Sequence, residues 1–119
     1  MKVSNPTARI GEEIACKLLK NKGFKILERN FRKSYGEIDI IATDRETLVF
    51  VEVKTRSSNK FGEPEESITP YKMKSIIKTA QYYKALNPKT PEQMRIDAVL
   101  IMLNGRGEST KINHLENIS

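Results

Sequence analysis

Apolar positions along this chain fall into seven blocks whose spacing alternates between helical and strand-like. Ala8, Ile14, Ala15, Leu18 and Leu19 recur at helical spacing and predict a helix from about Thr7 to Lys22. Lysines gather at its end, where cations suit the helix dipole, and Gly23 is placed to stop it. Phe24 to Arg32 alternates, with Leu27 out of step, and reads as a strand. Two further strand-like runs follow, around Ile38–Ile41 and Leu48–Val53, with the polar Thr43-Asp44-Arg45-Glu46 between them as a hairpin turn. Thr69-Pro70 is an N-cap followed by Pro at the first helical position, and it opens a second helix. Met73, Ile76, Ile77, Ala80 and Tyr83 are the residues expected to face a sheet, and Asn87-Pro88 ends the helix. Met94 to Leu103 is a buried-strand run, and a segment near 108–118 is expected as an edge strand.

Into the hairpin the chain places charges that strands seldom carry: Glu37, Asp39, Glu52 and Lys54. A two-residue turn at Asp44-Arg45 pairs Asp39 with Phe50 and Glu37 with Glu52. With a side-chain period of two, Glu37, Asp39, Phe50, Glu52 and Lys54 then share one face. Val49, Val51 and Val53 fill the other. In that register Asp39 and Glu52 are diagonal neighbours, roughly 7–8 Å apart, so one cation fits between them. Carboxylates crowded on one face repel each other unless a positive charge sits among them. A hard divalent ion, Mg²⁺ or Mn²⁺, answers that need with one or two carboxylates, water and a substrate phosphate. Lys54, two residues after Glu52, is placed to act on that phosphate or on an attacking water. A solvent-facing hairpin with incidental charges is the plainer reading, but Glu52 and Lys54 interrupt an otherwise core-grade strand.

Composition adds direction to this picture. Lys and Arg number 21 against 15 Asp and Glu, a net charge of +6 that favours an acidic partner, nucleic acid first. The single Cys16 excludes an internal disulfide and lacks zinc-site spacing. No apolar run approaches a membrane span, so the expectation is a cytoplasmic protein with no membrane partner. At 119 residues the chain has room for one domain with a modest core. Thr55 to about Ile68 loses the apolar pattern and is expected as a mobile loop beside the charged hairpin, with Arg56 and Lys60 facing phosphates. Lys72, Lys74 and Lys78 give the second helix a basic character, with Lys72 nearest the hairpin charges. Within the first helix, Glu12 lies beside the apolar stripe and is able to look toward the sheet, whereas Glu13 points away.

GEIDIIA followed by LVFVEVKTR resembles the PD-(D/E)xK nuclease superfamily, and more closely the archaeal-type Holliday junction resolvases and the YraN-like family of predicted endonucleases. The likeness runs from Arg9 to about Met102. It takes in Gly11-Glu12-x-x-Ala15, Asn30, the hairpin, Phe61-Gly62, Thr69 with Lys72, and Arg95-x-Asp97, with Ile38 where the superfamily's name has Pro. The resemblance implies an α/β fold with a restriction-endonuclease-like αβββαβ core, a mixed sheet flanked by helices. It implies a Mg²⁺- or Mn²⁺-dependent endonuclease acting on DNA, branched DNA by analogy with the resolvases. Asp39, Glu52 and Glu12 are then the metal residues, Lys54 the catalytic lysine and Glu37 a supporting group. A homodimer is compatible with this reading. The alternative is a nucleic-acid-binding module, or a protein-interaction scaffold, that keeps the fold without catalysis. His114, the one His, has no partner legible in the sequence.

Overall fold

The computed structural model describes residues 5–57 and 68–119. In chain order the elements are α1 (Pro6–Asn21), β1 (Lys25–Lys33), β2 (Gly36–Asp44), β3 (Thr47–Arg56), α2 (Pro70–Leu86), β4 (Gln93–Leu103) and β5 (Ser109–Leu115). The strands form one mixed sheet in the order β1-β2-β3-β4-β5, with β3 and β4 parallel and the other neighbours antiparallel. A helix lies on each face. This is an α/β fold compatible with a restriction-endonuclease-like core. Among the described residues, no helix is long and apolar enough to cross a membrane.

Two apolar clusters hold the layers together. Under α1, Ala15, Cys16 and Leu19 pack on Ile40, Ala42, Val49, Val51, Val99 and Ile101. Under α2, Ile76, Ala80 and Tyr83 pack on Phe31, Ile38, Ile41, Leu48, Phe50 and Ile96. The sequence expectation for the α2 stripe needs one correction: Ile77 is 37% exposed and Ile76 only 2%. At 100° per residue Ile77 turns past the edge of the stripe, and Ile76 carries the burial. Ala8 is likewise exposed, one turn before α1 reaches the sheet. Gly11 makes the close approach of α1 possible, since a Cβ there would overlap the Thr55 side chain.

The helix ends follow their capping chemistry. Asn5 accepts the Thr7 N–H at 2.8 Å to start α1, and Thr69 accepts the Lys72 N–H at 3.1 Å to start α2. Gly23, at φ 96°, takes the left-handed position just past the α1 cap. Leu27 falls at a register shift between Ile26 and Glu28, which accounts for its broken alternation.

The hairpin register differs from the expected one by two residues. Asp44 pairs with Thr47, Thr43 with Leu48 and Ile41 with Phe50, so the turn is Arg45-Glu46, with Arg45 at φ 56°. Asp44 stays in the strand because Arg95 reaches across and bonds its carboxylate at 3.1 Å. Moving the turn by one residue moves every pair by two, so side-chain parity survives.

The expected loop also starts later. Thr55 and Arg56 belong to β3, paired with Ile101 and Met102 of β4, because a parallel neighbour fixes the strand where the apolar pattern has faded. Residues 58–67, with Lys60 and Phe61-Gly62, lie outside the described residues.

Candidate metal and nucleic-acid site

The site forms where β2 and β3 part. Their ladder runs from Asp44–Thr47 up to Ile40–Val51 and stops. Beyond it, the Val53 N–H donates to Asp39 Oδ2 at 2.8 Å, so a carboxylate stands where a strand carbonyl would otherwise be. Continuing the register count sets Asp39 level with Glu52 rather than diagonal to it.

Strict alternation does not hold in this part of β2. Ile38 and Ile41 both pack under α2, while Ile40 packs under α1. The slip matches one in β1, where Asn30 adopts φ 54° between the pairs Arg29–Ile40 and Phe31–Ile38. A short polar side chain tolerates that left-handed backbone better than most. Asp39 therefore reaches Glu52 through the parting of the strands, and the five hairpin residues do not share one uniform face. Glu37 turns to Arg32, which donates to it at 3.1 and 3.2 Å.

Electrostatics set this pair apart. Both carboxylates are buried. Burial, then the neighbouring Glu52 charge, pushes the Asp39 carboxyl up to about 7, against the lowering effect of the Val53 N–H; Glu12 and Glu37 add to the rise. Glu52 is also raised, mainly by burial, with Lys72 and Lys54 pulling it back. Lys54 Nζ lies 3.6 Å and Lys72 Nζ 3.5 Å from the same oxygen, Glu52 Oε1. Lys72 arrives from the first turn of α2, so both strand and helix bring a cation to one carboxylate.

Glu12 is half-buried and lines a cavity of about 710 Å³ between α1 and β1, together with Arg9, Glu13, Arg29, Asn30 and Arg32. Its charge is felt at Asp39. Among the described residues, no set of three or more His, Cys, Asp or Glu side chains gathers closely enough to hold a metal, so Glu12 does not join Asp39 and Glu52 as a preformed third ligand. Glu13, expected to point away from the sheet, instead reaches Arg29 of β1 at 2.7 Å along the wall of the same cavity, while staying largely exposed.

The remaining basic candidates divide. Arg56 is partly buried at the end of β3, its Nε without a hydrogen-bond partner among the described residues. Lys74 and Lys78 are exposed on α2, Lys78 with its ammonium 5.0 Å from the Tyr35 ring centre. Lys60 lies outside the described residues.

A model of the uncharacterised protein family UPF0102 matches residues 11–101. The chain belongs to this family. It is 46% identical over 107 residues to a UPF0102 protein of Syntrophomonas wolfei, covering 90% of this chain and 91% of the relative. A UPF0102 protein of Persephonella marina is 49% identical over 94 residues, covering 79% of this chain and 81% of its own. The span matched by the UPF0102 model holds Glu12, Asp39, Glu52, Lys54 and Lys72, and it ends within β4.

β5 and its His114 fall beyond that span, yet they complete a second polar cluster at the far end of the sheet. Asp97, fully buried, accepts from Arg95 at 2.9 and 3.1 Å, from the Asn117 N–H at 3.0 Å, and meets His114 Nε2 at 2.8 Å. Lys22 Nζ lies 2.7 Å from His114 Nδ1. An ammonium only donates, so Nδ1 accepts and the ring proton sits on Nε2, facing Asp97. Burial raises the Asp97 carboxyl, but the bonds from His114, Arg95 and Asn117 outweigh it and hold it below the usual range. This cluster ties the chain's last strand to the β2–β3 hairpin through Arg95 and Asp44. The sequence marks only Arg95-x-Asp97 of this cluster, because Lys22, Asp44, His114 and Asn117 are brought to it from distant parts of the chain. The α1–β1 arginines likewise meet only through tertiary packing.

Proposed function

We propose that this UPF0102 protein is a metal-dependent endonuclease of the PD-(D/E)xK, YraN-like kind, hydrolysing phosphodiester bonds of DNA in the cytoplasm. The observation that carries the reading is the buried Asp39–Glu52 pair with Lys54 and Lys72 on one Glu52 oxygen. Two buried carboxylates, both held above their ordinary proton affinity by burial and Asp39 also by the Glu52 charge, make an oxygen-only donor set, and a hard divalent cation relieves that cost. Mg²⁺ or Mn²⁺ fits that set, because such ions need only one or two carboxylates when substrate phosphate and water fill the remaining positions. When bound, the cation supplies positive charge at the scissile phosphate.

The chain's own groups do the rest. Asp39 and Glu52 would hold the cation, and the Val53 N–H fixes the orientation of the Asp39 carboxylate. Lys54, within ion-pair distance of Glu52, neutralises phosphate oxygen charge and orients the attacking water. Lys72 steadies Glu52 from α2 and adds a phosphate contact. Glu12 orients water on the α1 side, and Glu37 holds Arg32 at the cavity wall. Arg9, Arg29 and Arg32, with Arg56, Lys74 and Lys78, carry the flanking backbone; these contacts position the strand and do not read its sequence.

Calorimetric titration of Mn²⁺ tests the metal centre. Wild-type protein binds one ion, and Asp39→Ala abolishes the heat. A wild-type protein that binds no Mn²⁺ in the presence of a DNA oligomer would remove the metal centre and leave a binding module.

A further inference from the structure

Beside the proposed catalytic centre, the α2 face carries aromatic rings and cations without any acid. Tyr71, Ser75, Lys78 and Tyr82 recur at i, i+4, i+7 and i+11, one stripe along the helix, and α2 contains no Asp or Glu. The stripe stands beside the core-facing residues Ile76, Ala80 and Tyr83, so it meets solvent at the edge of the sheet. Tyr71 is 84% exposed and Tyr82 40%.

The β1–β2 connection completes this surface. Ser75 Oγ donates to the Tyr35 carbonyl at 2.6 Å, and Gly36 lets the chain come this close, since a Cβ there would overlap Ser75. The contact sets the Tyr35 ring edge-to-face with Tyr82, centroids 5.8 Å apart at 76°. Lys78 Nζ lies 5.0 Å from the Tyr35 centroid, and Lys33 Nζ lies 5.4 Å from that of Tyr82. Each ring thus has a lysine beside it, Lys33 shared with the Phe31 ring at 5.2 Å, and among the described residues these are cation–π contacts. Glu37, the nearest acid in sequence, is engaged by Arg32.

We propose that Tyr35 and Tyr82, with Lys33 and Lys78, form a stacking platform for unpaired nucleobases next to the scissile phosphate. The proposal rests on the nuclease reading and adds the substrate class: DNA with a single-stranded segment at the site. Rings stack on base faces, which a duplex hides and a single strand offers. Phosphates draw the two ammonium groups off the rings, and bases take their places. Lys72, at the catalytic centre, and Lys78 lie on one helix roughly 9 Å apart along its axis, so one strand spans both. An acidic peptide or an anionic membrane would use the lysines and leave the rings idle.

The test is a titration in EDTA of an end-labelled oligo-dT and of an end-labelled blunt duplex, followed by anisotropy of the label. Wild type binds oligo-dT. The double variant Tyr35→Leu/Tyr82→Leu loses about tenfold or more in oligo-dT affinity, the scale of base–aromatic stacking. It keeps its duplex affinity and its Mn²⁺ heat. Tyr35→Phe/Tyr82→Phe retains the rings and binds oligo-dT like wild type. Equal oligo-dT affinity in wild type and the Leu variant overturns the platform, as does equal loss in the Leu and Phe variants. Equal loss for oligo-dT and duplex overturns it too. Binding of a Glu-rich peptide or of phosphatidylserine vesicles with the same Leu-variant loss reassigns the surface to acidic partners. If Mn²⁺ heat is absent but the Leu variant alone loses oligo-dT, the nuclease reading fails and the platform stands.

Discussion

Asp39 accepts the backbone N–H of Val53 at 2.8 Å, beyond the point where β2 and β3 stop pairing. A carboxylate that replaces a strand carbonyl is held rigidly and buried at once. Burial beside Glu52 then makes it costly to ionise, which is an unfavourable arrangement for stability and a suitable one for a cation.

The first prediction follows from that cost. The Asp39 carboxyl is raised to about 7 in the folded protein, against about 3.9 when unfolded. Its contribution is therefore fully present below pH ~4 and is lost as pH rises through about 7. At ~1.4 kcal/mol per unit, the loss is on the order of a few kcal/mol. Asp39→Asn keeps an acceptor for the Val53 N–H and removes the charge. In EDTA it should melt above wild type at pH 8, with the gap closing toward pH 5. A wild-type melting temperature that is flat over this range in EDTA would contradict the assignment.

Asp97 should behave in the opposite sense. Its folded value is depressed, so its stabilisation is present above pH ~4 and is lost as pH falls through the lower folded value. Removing one member of a buried charge network costs about 3–5 kcal/mol. Asp97→Ala should show a loss of that size in urea unfolding at pH 7, shrinking toward pH 3.

Packing under α2 separates two adjacent isoleucines. Ile76→Ala should cost about 2–5 kcal/mol, whereas Ile77→Ala, at 37% exposure, should cost about 1 kcal/mol or less. Chemical denaturation of the two variants checks the order. Equal losses would mean the helix is rotated from the position described.

Gly11 and Thr55 should be coupled. Gly11→Ala should destabilise by about 1–3 kcal/mol through overlap with Thr55, and Thr55→Gly should recover part of that loss in the double variant. Additive effects would show that the two do not touch.

Much of this was legible in the chain. The helix cap at Thr69-Pro70, the stop at Gly23 and the long run into Leu103 are local signals, and the elements follow them; α1 starts at Pro6, capped by Asn5, just ahead of the expected Thr7. What could not be read comes from tertiary contacts. Arg95 holding Asp44 moves the turn, pairing with β4 extends β3 through Arg56, and Asn30 with φ 54° tips β1 and β2 together. Asp39 and Glu52 meet despite the different register because β2 and β3 part beyond Ile40–Val51 and Asp39 turns into the gap. Lys72 was placed nearest the site by helix phase alone. His114 was opaque because its partners, Lys22 and Asp97, lie 92 and 17 residues away.

The central claim is hydrolysis, and cleavage by purified protein tests it most directly. A labelled panel of duplex, flap, single-stranded and four-way DNA is incubated with Mg²⁺ or Mn²⁺, using wild type, Asp39→Asn and Lys54→Ala. The account predicts metal-dependent cleavage by wild type, highest where an unpaired strand meets a duplex. Asp39→Asn should be inactive with Mn²⁺ binding weakened, and Lys54→Ala inactive with Mn²⁺ binding near normal. Cleavage at the same rate by all three proteins, or none by wild type with Mn²⁺ bound, would contradict it.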